Sequence, residues 1–107
     1  MSSLEYHVLL ALVRAPLHGY AVKQRVEYES EGSLTPQAGS LYRVIARLMS
    51  AGLVVETAPK DPVGPHPGLS RRYYALTASG RRMLAGEARR LKGAATLAER
   101  RLRTARS

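Results

Sequence analysis

The chain has 107 residues, 45% hydrophobic and 23% charged, with a formal net charge of +9 and no cysteine. This is the composition of one small folded domain, and it excludes a disordered segment, a disulfide framework and any Cys-based zinc site. No apolar run approaches the roughly 18 residues of a membrane span, and no basic stretch precedes the first apolar one, so a soluble, unprocessed, cytoplasmic protein without a membrane partner is expected.

Ser3 to Ala15 (SLEYHVLLALVRA) is apolar almost all round and predicts a buried first helix stopped by Pro16. In the next segment Tyr20, Val22, Val26 and Tyr28 offer the apolar stripe of a second helix, closed by Gly32. Thr35-Pro36 predicts the start of a third helix, with Thr35 capping free backbone donors and Pro36 in the first helical position. That helix runs to about Ala51, buries Leu41, Val44, Ile45 and Leu48, and ends at Gly52 as a left-handed cap. Leu53–Ala58 and Arg71–Leu76 alternate like strands, and the segment between them holds four of the six prolines, as the loop of a β-hairpin would. Thr77 then caps a long helix to about Arg103. Leu84, Ala88, Leu91, Ala95, Ala98 and Leu102 recur on it at spacings of 4, 3, 4, 3 and 4, a heptad seam.

The expected fold is therefore mainly α with a small β-hairpin: a winged helix-turn-helix domain over residues 1–76, then a long dimerisation helix over 77–107 in the same compact unit. In such folds the third helix enters the major groove of duplex DNA and the hairpin loop reaches the flanking backbone or minor groove. The charge is placed accordingly. Only three of the 17 basic residues lie in residues 1–35, beside four of the eight acidic ones, so the first third carries −1 and the remainder +10. A lopsided basic surface attracts a polyanion through counterion release. Gln37 and Ser40 stand where base edges are read, Arg43 can reach guanine or phosphate, and Arg47 a turn later meets phosphate. Gly39 costs a helix roughly 1 kcal/mol, which close approach of the backbone to DNA would explain. Lys60 and His66 in the loop, with Arg71 and Arg72 at its base, add positive charge, and Thr35 opens the same face.

The combination Leu17-His18-Gly19-Tyr20, Gly39-Ser40-Leu41-Tyr42, Arg47-Leu48, Gly52-Leu53-Val54 and Arg72-Tyr73-Tyr74-Ala75-Leu76-Thr77-Ala78-Ser79-Gly80 resembles the PadR family of bacterial transcriptional regulators, from about Leu4 to Leu91. The resemblance implies a winged-helix homodimer on a palindromic operator, usually a repressor, with the first and last helices forming the dimer interface. It also allows a small-molecule effector in the cleft between subunits, and the single C-terminal helix is like that of the family's short class. In this reading Gly19 lets the second helix start against the first, Tyr20 anchors in the core, and Tyr42 either packs or carries its hydroxyl to a phosphate. The chain departs from the family where Arg43 stands for a common proline and Ala46 for a common basic residue. Alanines bury little area, so Leu9, Leu12 and Val13 of the first helix are expected to complete the seam of Leu84, Ala88, Leu91, Ala95, Ala98 and Leu102. The alternative for the last helix is packing back on its own domain.

Two other functional classes are weighed. A basic RNA- or ribosome-associated module shares the charge, but sequence-specific RNA readers usually show aromatic stacking platforms, and the tyrosines here sit at core-compatible spacing. An enzyme is disfavoured: His7, His18 and His66 lie apart, with no acidic pair at ligand spacing and no phosphate loop after a strand, so no catalytic residue, metal or cofactor is expected.

Overall fold

The computed structural model describes residues 1–58 and 72–105. Its elements are α1 (Ser3–Ala11), β1 (Leu17–His18), α2 (Gly19–Glu29), α3 (Ala38–Ser50), β2 (Val54–Thr57), β3 (Tyr73–Leu76) and α4 (Ala78–Thr104). The mainly α, winged-helix expectation stands. The sheet, however, has three antiparallel strands in the order β1-β3-β2, with Leu17 opposite Tyr74 and Val54 opposite Leu76.

Local chemistry accounts for most element ends. Ser2 and Glu5 form a reciprocal capping box at α1, the Ser2 N–H donating to the Glu5 carboxylate at 2.8 Å and the Glu5 N–H to the Ser2 hydroxyl at 3.1 Å. Those bonds from Ser2, aided by the charge of Arg47, hold the Glu5 carboxyl below its usual range. Thr77 caps α4 as expected, its hydroxyl accepting from the Gly80 N–H at 2.9 Å. Gly52 closes α3 with φ +77°, a conformation that favours a residue without Cβ.

Four expectations about local structure are corrected. The first helix ends at Ala11, not Ala15, because the residue before Pro16 disfavours helix and Leu17–His18 must extend to pair with β3. The third helix starts at Ala38. Thr35 does not cap it; the chain stays extended through Gln37, which occupies the cap position without a side-chain bond. Leu34 packs against the core and its N–H is held by the Ser30 hydroxyl at 3.1 Å, so the chain is still crossing from α2 where Pro36 stands. Tyr20 is 62% exposed, because Val22 and Val26 hold the buried face of α2 and Tyr20 sits roughly 160° around from Val22. Tyr28 is also exposed, on the same grounds.

One core joins all the elements: Val8, Leu9, Leu12, Val22, Val26, Leu41, Ile45, Leu48, Val54, Tyr74 and Leu84 are among its buried members. Leu9 and Leu12 are 0% and 2% exposed within this chain alone, so they have no surface left for a partner, contrary to their expected place in a dimer seam. Leu84, the first residue of the expected seam, is likewise buried in the core of this chain, while Val13 and Ala88 are half-buried. Leu91, Ala95, Ala98 and Leu102 are exposed, and α4 runs past the body of a molecule measuring 64 × 27 × 21 Å.

Candidate nucleic-acid interface

α3 has the sharp two-sided pattern that an interface needs. Leu41, Val44, Ile45 and Leu48 fix one face in the core, which leaves Gly39, Arg43, Arg47 and the cap residue Gln37 exposed and Ser40 half-exposed. The Arg43 guanidinium donates to the Ser40 hydroxyl at 3.3 Å and lies back along the helix. Arg47 lies 3.8 Å from the Glu5 carboxylate of α1, an exposed and weak pair that leaves its guanidinium accessible. A Cβ built on Gly39 would meet nothing closer than the Arg43 guanidinium at 3.7 Å, an ordinary contact. Internal packing therefore gives no reason for glycine at that point of the helix.

On the other flank Tyr42 is 47% exposed and its ring lies over Gly19, the first residue of α2. A Cβ on Gly19 would collide with the Tyr42 hydroxyl and lie 2.7 Å from the ring carbon that bears it. The role expected for Gly19, allowing α2 to start against α1, is thus corrected: it makes room for Tyr42. Gly19→Ala should displace only the far end of that ring, so stability should change by less than about 1 kcal/mol. If the Tyr42 hydroxyl contacts a phosphate, duplex affinity should fall several-fold, with the loss measured by anisotropy next to Tyr42→Phe.

Tyr42 forms one wall of a concavity of about 740 Å³, with His18, Tyr20, Gln24, Arg72 and Tyr74 around it. Arg72 is largely exposed there, 3.7 Å from the Glu56 carboxylate. His18 caps α2 by accepting from the Ala21 N–H at 3.2 Å and stacks edge-on against Tyr73. Burial pushes the Tyr74 phenol up from its ordinary pKa, so it stays protonated at the floor of the concavity. Tyr20, Gln24 and His18 were not expected at this face. The signal for Tyr20 was its position out of phase with Val22 and Val26. Of the other expected contacts, Thr35 is exposed just ahead of α3, whereas Lys60, His66 and Arg71 lie outside the described residues.

Three helices, the third exposed along one polar face, and a short antiparallel sheet define a winged helix-turn-helix protein. The chain matches the transcriptional regulator PadR-like family over residues 8–86 and belongs to it. A PadR family transcription regulator from Clostridium difficile R20291 superposes with a TM-score of 0.77 at 17% identity, covering 94% of this chain and 99% of that one. A PadR-like transcription factor from Bacteroides fragilis gives 0.72 at 26% identity, covering 91% and 87%. Bacillus subtilis PadR, solved in complex with operator DNA, gives 0.69 at 21% identity, covering 81% and 48%. An uncharacterized 37.1 kDa protein in transposon Tn4556 of Streptomyces fradiae is 41% identical over 81 residues, 76% of this chain and 21% of that protein. The chain thus spans about a fifth of the length of that curated relative. No helix among the described residues is long and apolar enough to cross a membrane.

Proposed function

We propose that this regulator is a homodimeric repressor that reads a palindromic operator in duplex DNA with α3. The observation that carries the reading is the exposed α3 face of Gln37, Gly39, Ser40 and Arg43, where glycine is not required by packing within the subunit. Gln37 suits paired bonds to adenine and Arg43 suits guanine, released from Ser40 at little cost because their bond is exposed and long. Arg47, Tyr42 and Arg72 flank that face and supply phosphate contacts, with Thr35, Lys60, His66 and Arg71 as further contacts toward the flanking backbone. The complex of Bacillus subtilis PadR with operator DNA supports the mode of binding by analogy of fold. Two-fold symmetry sets two α3 helices one DNA turn apart, with subunits joined along α4 through Ala88, Leu91, Ala95 and Ala98 beside Val13. Release by a small molecule held between subunits fits this arrangement.

The test compares a duplex taken from upstream of the protein's own gene with a scrambled duplex, near physiological salt. Wild type should prefer the native sequence by about a hundredfold or more. The double variant Gln37→Ala, Arg43→Ala should lose that preference while remaining a dimer. Unchanged preference would remove α3 from base reading.

A further inference from the structure

The concavity beside Tyr42 is larger and deeper than the phosphate contacts proposed for its rim require. Its volume of about 740 Å³ falls within the roughly 300–1,000 Å³ of small-molecule pockets. A backbone phosphate meets the rim, where Tyr20, Tyr42 and Arg72 are exposed. Tyr74 lies beneath them, 4% exposed, and its hydroxyl makes no hydrogen bond among the described residues. That hydroxyl is not sealed in the core either, because no buried side-chain polar atom among the described residues lacks a partner. It opens into the hollow as a donor that the chain itself does not use.

The other polar groups converge on the same space. Arg72 brings a guanidinium from the β3 side, Tyr42 a hydroxyl from α3, and Gln24 an amide from α2, one turn after Tyr20. The first turn of α2 holds no acidic residue, so its partial positive charge at Gly19 is undiminished. No carboxylate lines the hollow. Glu56 approaches from outside, 3.7 Å from Arg72, in an exposed pair that an anion can displace. Donors arriving from three elements suit the tetrahedral spread of three phosphoryl oxygens better than the plane of a carboxylate. The exposed rings of Tyr20 and Tyr42 supply aromatic faces beside them.

We propose that this hollow binds a small phosphate monoester carrying a planar ring. Arg72, the Tyr42 and Tyr74 hydroxyls and the start of α2 hold the phosphoryl group, and Tyr20 packs against the ring. The site lies within one subunit, apart from the cleft between subunits. One consequence rests on the DNA reading above: Tyr42 and Arg72 serve either the ligand or a backbone phosphate, so the occupant displaces the duplex.

Phenyl phosphate is the probe, titrated calorimetrically into the full chain at fixed ionic strength, with inorganic phosphate and benzoate beside it. It should bind once per chain and more tightly than either, since it alone has both the ring and the tetrahedral group. Tyr74→Phe keeps the core ring, so it should weaken phenyl phosphate about tenfold, the loss of one bond to a charged group, and leave duplex affinity unchanged. Glu56→Gln should tighten binding by releasing Arg72. Absence of phenyl phosphate binding, equal binding of benzoate, or full affinity in Tyr74→Phe each overturns the inference. If Arg72→Gln still lowers duplex affinity in that case, the rim serves DNA alone and the DNA reading stands. Binding of phenyl phosphate that leaves duplex anisotropy untouched keeps the site and removes Tyr42 and Arg72 from DNA.

Discussion

Gly80→Ala is expected to destabilise the protein by about 3 kcal/mol or more, the range of severe overpacking. The added Cβ would collide with the Leu53 carbonyl oxygen and lie 2.7 Å from Leu76 Cδ1 and 3.1 Å from the Leu53 carbonyl carbon. The Leu76 methyl can turn aside, but the Leu53 backbone cannot easily withdraw. The Leu53 N–H is bonded to the Leu48 carbonyl at 2.9 Å, its carbonyl accepts from the Thr77 N–H at 3.1 Å, and the Thr77 hydroxyl donates to the Gly52 carbonyl at 2.7 Å. Arg81 adds a bond to the Val13 carbonyl at 2.9 Å on the α1 side. This joint fastens α4 to the corner between α3 and β2, so the substitution strains the connection between the long helix and α3. Urea unfolding should show the loss as a lower midpoint. Gly86→Ala on the same helix is the control: its Cβ would meet only the Arg89 guanidinium at 3.9 Å, and it should gain roughly 0.5–1 kcal/mol from helix propensity. Equal stability of Gly80→Ala and wild type would disprove the close approach.

In the proposed dimer, Leu91→Glu is expected to yield monomers and to reduce affinity for duplex DNA by at least tenfold. Leu91 is 41% exposed and lies outside the core of the subunit, so the substitution leaves the fold intact and circular dichroism should not change. Across a two-fold α4 seam it would remove apolar area and place two carboxylates in a desolvated contact, which is far more costly than an exposed change. A dimer site on DNA also loses its two-fold advantage when each α3 must bind alone. Sedimentation of the variant and of wild type, followed by anisotropy on the same duplex, reads both effects. A variant that still sediments as a dimer would move the interface off α4.

The amphipathic α3, the Thr77 cap, the left-handed Gly52 and the long α4 were all legible in the sequence. Each is set by side chains within a few residues of one another, through periodicity and local hydrogen bonds. The polar residues of the α3 face were legible for the same reason, since burial of Leu41, Val44, Ile45 and Leu48 leaves only one direction for Arg43 and Arg47. Tertiary structure alone decided the rest. β1 exists because Tyr73 and Tyr74, more than 50 residues away, offer it a sheet edge, and two residues carry no periodicity of their own. Tyr20 turns outward, and Leu9 and Leu12 are buried in the core of the chain itself, because the angle at which each helix faces the core is set by the helices packed against it. A hydrophobic pattern specifies that a helix has a buried side; its neighbours determine which residues occupy it.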